Sequence, residues 1–341
     1  MKRLRVLVLM HEDLVPPETL DGYSDKEIAR WKSEFDVVAT LREMGHEAEP
    51  LGMSDDLGVL RSAILGFRPH VAFNMLEEFH GVAVYDHHVT SYLELMRQPY
   101  TGCNPRGLLL SHDKVLSKQI LFYHRIPTPQ FTVFPLGKAV RTPRRLKYPL
   151  LVKSAIEDAS MGISQASIVH DADQLIEQIR FVHEQVQSDA IAEQYIEGRE
   201  LYVGITGNQR LQAFPVWEML FERMPDHLAK IATAQVKFDP AYQKQHGIVT
   251  RAAQDLTVAQ QARIIRVCKR VYRVLSLSGY ARLDLRVTPQ GQIYVLEANP
   301  NPNLEYGEDF AESAESIGIT YELLLQRILS LGLRYKAAWR T

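Results

Sequence analysis

The chain has 341 residues, of which 46% are hydrophobic and 23% charged, enough for two or three domains with substantial cores and against intrinsic disorder. Thirty-nine basic residues stand against 41 acidic ones with no long basic run, which excludes a broad electrostatic surface for nucleic acid or membrane, so a charged ligand must be held by local clusters. Two cysteines, Cys103 and Cys268, exclude a disulfide framework and suit a reducing compartment.

The opening MKRLRVLVLMHEDL has a basic cluster ahead of Val6–Met10, but the apolar run is short and His11-Glu12-Asp13 follows where a cleavage site would need small residues; a first strand over 4–10 is the expectation. No later apolar run approaches the roughly 20 residues of a membrane span, so a cytoplasmic protein is expected. Residues 4–102 alternate apolar runs with amphipathic stretches: strand 4–10, helix about 26–44, strand 47–52, helix about 55–66, strand 70–76 and helix about 86–97. Ser24 with Glu27 forms a capping-box signature for the first helix, and Gly45 stops it. This rhythm predicts a parallel sheet flanked by helices. No G-x-G-x-x-G follows strand 4–10, which speaks against dinucleotide binding.

From Ser111 the pattern changes. A helix over about 112–123 leads into Ile126-Pro-Thr-Pro129, strands near 131–134, 149–154 and 165–170, a helix over about 173–187 and a strand over 190–196. Strands near 199–206 and 210–219 follow, then an irregular segment 222–254. A long helix over about 258–276, capped by Thr257 with Gln260, precedes two strands within 279–298 and a closing helix over about 319–331. The histidines around Asp86-His87-His88 make no metal site in this reading, because adjacent helical residues point about 100° apart. No Gly-x-Ser-x-Gly is present, and neither cysteine has a spaced partner, so a Ser or Cys nucleophile has no support.

The chemistry lies in the last two strands. In Gly279–Thr288, Arg282, Asp284 and Arg286 alternate with Ala281, Leu283, Leu285 and Val287, so the three charges share one face. A hairpin turn centred on Gln290-Gly291 places Asp284 opposite Glu297 and Arg282 opposite Asn299. Opposed carboxylates about 5 Å apart repel one another unless a cation lies between them. Two carboxylates with an amide alongside suit Mg²⁺ or Mn²⁺ rather than zinc, and magnesium commonly shares phosphate oxygens, which implies a nucleoside triphosphate. The competing expectation is a solvent-facing strand in which Arg282 pairs with Glu297. The run Asn299-Pro-Asn-Pro-Asn303 cannot extend a sheet, and so displays its amides at a strand end.

Arg282-Leu-Asp284 followed by Leu296-Glu297-Ala-Asn299-Pro300 resembles the ATP-grasp superfamily, and within it the D-alanine:D-alanine ligases. Further matches are Leu93-Glu-Leu-Met with Pro99-Tyr-Thr-Gly102, His112-Asp-Lys114 with Lys118, Leu151-Val-Lys153, and Glu193-Gln-Tyr-Ile-Glu-Gly-Arg-Glu200. The resemblance implies an N-terminal parallel α/β domain over 1–102, a central α+β domain over 103–192 and a C-terminal α+β domain over 193–341, the last two gripping ATP. It also implies roles. Lys114 and Lys153 would contact phosphate, Glu193 would accept from the adenine amino group, Tyr195 and Ile196 would offer backbone groups to the base, and Glu200 would hold the ribose. Lys237, in preference to Lys230, would be a further phosphate lysine. Asp284, Glu297 and Asn299 would ligate two Mg²⁺ ions (or Mn²⁺), Arg282 would stabilise the oxyanion, and Ser160 would sit in a cover over the phosphates.

The reaction so implied is ATP-dependent joining of a small-molecule carboxylate to an amine through an acyl phosphate; an ester-forming ligase or a non-catalytic ATP-binding module are the alternatives, and a homodimer stays open. Three departures bear on substrate. Ala159 stands where the family has serine, Phe238 follows Lys237 where tyrosine is usual, and Glu77-Glu78-Phe-His-Gly81 replaces the Gly-rich acidic signature after the third strand. ATP chemistry survives these changes, but D-alanine as substrate does not follow.

Overall fold

The structure is a computed structural model of the chain and describes residues 3–143, 145–156 and 163–337. The N-terminal region begins with β1 (Arg5–His11), α1 (Asp25–Ile28), α2 (Lys32–Glu43), β2 (Glu47–Met53), α3 (Leu57–Phe67), β3 (Val71–Asn74) and α4 (Asp86–Leu95). The parallel sheet has the order β2-β1-β3, and Ala72 bridges to Tyr100 at its far edge. Instead of one helix over 26–44 the chain breaks between α1 and α2, where Arg30 and Trp31 donate to carbonyls three residues back. The break lets Trp31 bury its ring, edge-on to Tyr23 at 5.5 Å and beside Phe35 at 6.1 Å. Ser24 and Glu27 form the expected capping box, Ser24 donating its N–H to Glu27 at 2.8 Å.

The expected helix over 112–123 forms as α6 (Lys114–Tyr123), preceded by a further helix, α5 (Pro105–His112). Asn104 caps α5, with Pro105 in the first turn, while Asp113 ends α5 and accepts from Leu116 to start α6. The central antiparallel sheet, ordered β4-β7-β5-β6, comprises β4 (Phe131–Phe134), β5 (Leu150–Ser154), β6 (Ile168–Val169) and β7 (Ala190–Gln194), with α7 (Ala172–Phe181) packed on it. The strand expected over 165–170 shrinks to two residues, because Gln165–Ser167 coils into a single 3₁₀ turn.

The second antiparallel sheet has the order β10-β9-β8-β11-β12 and is built from β8 (Arg199–Thr206), β9 (Gln212–Phe221), β10 (Ile248–Ala252), β11 (Tyr280–Val287) and β12 (Ile293–Pro300). One face packs on α10 (Val258–Val274) with Leu201, Val203, Leu283, Leu285 and Cys268 fully buried; Leu108 and Leu121 from α5 and α6 join the same core. Val267 and Val274 lie partly buried against it, as their helical spacing predicts. The segment 222–254, expected to be irregular, contains α8 (Ala234–Phe238), α9 (Pro240–His246) and β10; Met224, Val236 and Ile248 cover Tyr202 and Trp217 on the other face. α11 (Asp309–Glu315) and α12 (Tyr321–Arg334) close the chain. Phe310, Leu324 and Ile328 pack with Val6 and Val8 of β1. Among the described residues no helix is long and apolar enough to cross a membrane.

Candidate active site

The charged face of β11 forms as its alternation dictates: Arg282, Asp284 and Arg286 stand opposite Gly204, Tyr202 and Glu200 of β8. On the other side Arg282 pairs with Asn299 and Asp284 with Glu297, the expected partners. They are reached by a different route, however. The turn pairs Val287 with Ile293, one step out of that register, and the strands shift between Leu285 and Asp284.

Asp284 is buried and receives three donors: Arg282 Nε at 2.9 Å, Arg282 Nη2 at 3.0 Å and Asn299 Nδ2 at 2.9 Å. Arg282 therefore pairs with the carboxylate two residues along its own strand, not with Glu297 as the solvent-facing alternative required. Its guanidinium lies 4.8 Å above the Tyr202 ring, and Asp309 approaches Nη1 at 3.9 Å. Burial pushes the Asp284 carboxyl up; Arg282 opposes this, and Glu297 across the strands adds to it.

A second charged group lies where the central sheet meets the C-terminal one. Glu193, at the end of β7, is held between Lys118 at 2.8 Å and Lys153 at 2.8 Å, all three nearly excluded from solvent. Burial would raise the Glu193 carboxyl, but the two ammonium groups outweigh it and hold the pKa at about 2. Lys118 also donates to Thr128 Oγ1 at 3.1 Å and to the Leu296 carbonyl at 3.2 Å. A third pairing joins Arg286 of β11 to Glu200 of β8. The same guanidinium donates to the carbonyls of Gly198, at 3.0 Å, and Lys230, and lies 5.7 Å from the Tyr195 ring. Tyr202 donates to the other Glu200 oxygen at 2.9 Å.

These groups open on one cavity between the two antiparallel sheets. Lys114 and Lys153 line it from the central side, Glu193 to Ile196 from the connecting strand, and Glu200, Lys237, Asp284 and Glu297 from the C-terminal side. Ile163, Ile231, Leu151 and Leu296 supply apolar walls. Lys230 is exposed and does not line the cavity, whereas Lys237 does. The Tyr195 N–H is taken by the Pro149 carbonyl at 3.1 Å. Arg282 and Asn299 do not line the cavity directly but bind Asp284 at its edge. Ser160, with the rest of the cover segment 157–162, lies outside the described residues.

Two residues that the sequence reading left without a role stand inside this arrangement. Lys118 follows Lys114 by four residues and so shares its helix face, a signal that was available. Arg286 was legible only as a member of the charged face. Elsewhere, the His87 and His88 rings do meet, with centroids 3.9 Å apart, contrary to the expectation that they diverge; His87 Nδ1 contacts the Val84 carbonyl. Cys103 and Cys268 are fully buried, and burial pushes the Cys103 thiol up to about 12, away from the thiolate a nucleophile needs.

Two antiparallel sheets closing on a cavity lined by lysines and acids define an ATP-grasp fold. The same fold is found in the solved structure of D-alanine–D-alanine ligase from Bacillus anthracis complexed with ATP, with a TM-score of 0.75 and 24% identity over 97% of this chain and 98% of that one. Residues 123–330 match the family described as D-ala D-ala ligase C-terminus. The chain is 30% identical to D-alanine–D-alanine ligase of Carboxydothermus hydrogenoformans over 74% of its length and 79% of the relative's, and 32% identical to an uncharacterized protein of Sinorhizobium fredii over 87% and 86%. The chain belongs to the D-alanine–D-alanine ligase family.

Proposed function

We propose that this chain is an ADP-forming carboxylate–amine ligase that makes a dipeptide or related amide from substrates other than two D-alanines. The observation that carries the reading is the convergence of Lys114, Lys153 and Lys237 with Asp284 and Glu297 on one cavity, beside the strip Glu193–Ile196 and Glu200. Lysines suit phosphate as compact, mobile charges. The adenine would lie along Glu193–Ile196, using the Tyr195 carbonyl and the Ile196 backbone, since the Tyr195 N–H is already engaged. Glu200, fixed by Arg286 and Tyr202, would hold the ribose hydroxyls.

Asp284, Glu297 and Asn299 fit a hard divalent cation such as Mg²⁺: two carboxylates face one another across β11 and β12, an amide stands beside them, and the buried Asp284 carries a raised pKa that a cation would relieve. Bound there, Mg²⁺ would neutralise phosphate charge during transfer. The γ-phosphoryl group moves to a carboxylate oxygen of the first substrate, forming a P–O bond as the bond to ADP breaks. The amine then attacks the acyl carbon; the C–N bond forms, and phosphate and a proton depart. Arg282, held over Tyr202 and permanently charged, would stabilise the oxyanion of this second step.

Ala159, Phe238 and the Glu77–Gly81 segment depart from the family pattern, which supports a different pair of substrates. The test is an ADP-release assay across paired carboxylates with amines and hydroxy acids, with Glu297→Gln as control. Metal-dependent turnover with at least one amine pair is expected. ATP binding without turnover for every pair would leave a nucleotide-binding module, and turnover confined to hydroxy acids would make the product an ester.

A further inference from the structure

The strands that carry Asp284 and Glu297 do not keep one register. Near the turn Leu285 pairs with Val295; one step on, Asp284 pairs with Glu297. Leu296 is thus an extra residue in β12, a β-bulge. Had the first register continued, Glu297 would stand opposite Leu283, on the face that packs against α10, because a slip of one residue turns every following side chain over. The bulge is therefore what brings the two carboxylates to the same side.

An extra residue loses its ladder partners, so its backbone must be satisfied elsewhere. β12 is an edge strand, and its outer side is gripped at this point: the Val295 N–H donates to the Pro127 carbonyl at 2.9 Å, and the Leu296 carbonyl accepts from Lys118 Nζ at 3.2 Å. Lys118 is only 1% exposed, and its other contacts are Glu193 and Thr128, from two further segments. A lysine so placed is not a solvated helix residue. It ties the bulge to the end of β7, where Glu193 also receives Lys153.

Resting on the ligase reading above, we propose that Lys118 is a positioning residue. Its ammonium pins the Leu296 bulge, which sets Glu297 across from Asp284, and it keeps Glu193 paired when Lys153 turns to phosphate.

The experiment measures Mn²⁺ binding by electron paramagnetic resonance, with a non-hydrolysable ATP analogue, in the full-length chain and in Lys118→Met, Lys118→Arg and Thr128→Val, alongside thermal unfolding and turnover. Lys118→Met should weaken Mn²⁺ binding about tenfold or more, as loss of an outer partner of metal ligands does, and lower kcat about 100-fold, the scale of a misplacement near 1 Å. Lys118→Arg should restore binding to within a few-fold, since a guanidinium also donates to both partners. Thr128→Val, which removes one of the ammonium's anchors, should weaken Mn²⁺ binding about threefold and decides the matter should Lys118→Met fail to fold. A folded Lys118→Met that binds Mn²⁺ like the parent overturns the inference, as does an unaltered Thr128→Val. No Mn²⁺–nucleotide binding by the parent protein overturns the ligase reading itself.

Discussion

Glu193→Gln isolates the electrostatics of the Lys118–Glu193–Lys153 cluster with almost no change of shape. The fall of the carboxyl from its ordinary 4.5 to about 2 corresponds to about 3 kcal/mol of folding free energy, and full burial means that solvent screens little of it. Because the folded pKa lies below the unfolded one, this stabilisation is complete above pH 4.5 and fades as pH falls towards 2; at pH 3 about 1 kcal/mol remains. The variant also leaves two buried ammonium groups without their anion, which places the cost at neutral pH in the range of about 3–5 kcal/mol. Thermal unfolding followed by circular dichroism should show a midpoint lowered by roughly 4–7 °C at pH 7, with the gap between variant and parent narrowing as pH falls through about 3 towards 2. Equal midpoints at pH 7, or a gap that does not change with pH, would refute the reasoning, since either result would mean that the carboxylate is not held charged by the two lysines.

Three further outcomes follow from the same geometry. Glu297→Gln removes one of two opposed carboxylates, so the nucleotide-free protein should gain up to about 1 kcal/mol in thermal stability while ATP turnover falls at least about 100-fold; loss of both would argue for a structural role. Arg286→Met leaves Glu200 buried beside Tyr202 and releases the carbonyls of Gly198 and Lys230, and should cost about 3 kcal/mol or more in urea unfolding with a raised KM for ATP. Gly198→Ala would set a Cβ 2.3 Å from the Val287 carbonyl oxygen, in the connection between the two antiparallel sheets, and should lower the unfolding midpoint and reduce ATP affinity together.

Most strands and the charged face of β11 were legible because they rest on local periodicity, whereas Lys114, Lys153, Glu193, Glu200 and Lys237 were reached only through the family resemblance. Alternation alone placed Arg282, Asp284 and Arg286 on one face. The partners on that face were not legible: whether Arg282 turns to Asp284 or Glu297 depends on which acid the cavity leaves to other cations, a tertiary matter. The expected pairing of Asp284 with Glu297 was reached through a turn centred one half-step too far, and the Leu296 bulge restored it. Nothing in Tyr294–Leu296 marks that bulge, because the group that holds it, Lys118, is 178 residues away. α8 and α9 were missed for another reason. Helices of five and seven residues are too short to show a period, and only the caps Thr233 and Asp239, with Pro240 in the first turn, announce them.

The charge pairs of the site give its buried acids partners within the fold. Lys153 rests on Glu193, Arg282 on Asp284 and Arg286 on Glu200, so each buried acid has a fixed cation, and none is left to carry the desolvation cost alone. On the proposed reading, a nucleotide with its divalent cation would bring both signs at once: phosphate would draw Lys153 from Glu193, which would keep Lys118, and Asp284 would hold the cation in place of Arg282. Binding of this kind exchanges partners instead of separating charges. Opposed carboxylates are tolerable on β11 and β12 because the fold supplies an arginine to one of them, and on the proposed reading that same arginine would serve the acyl-transfer step.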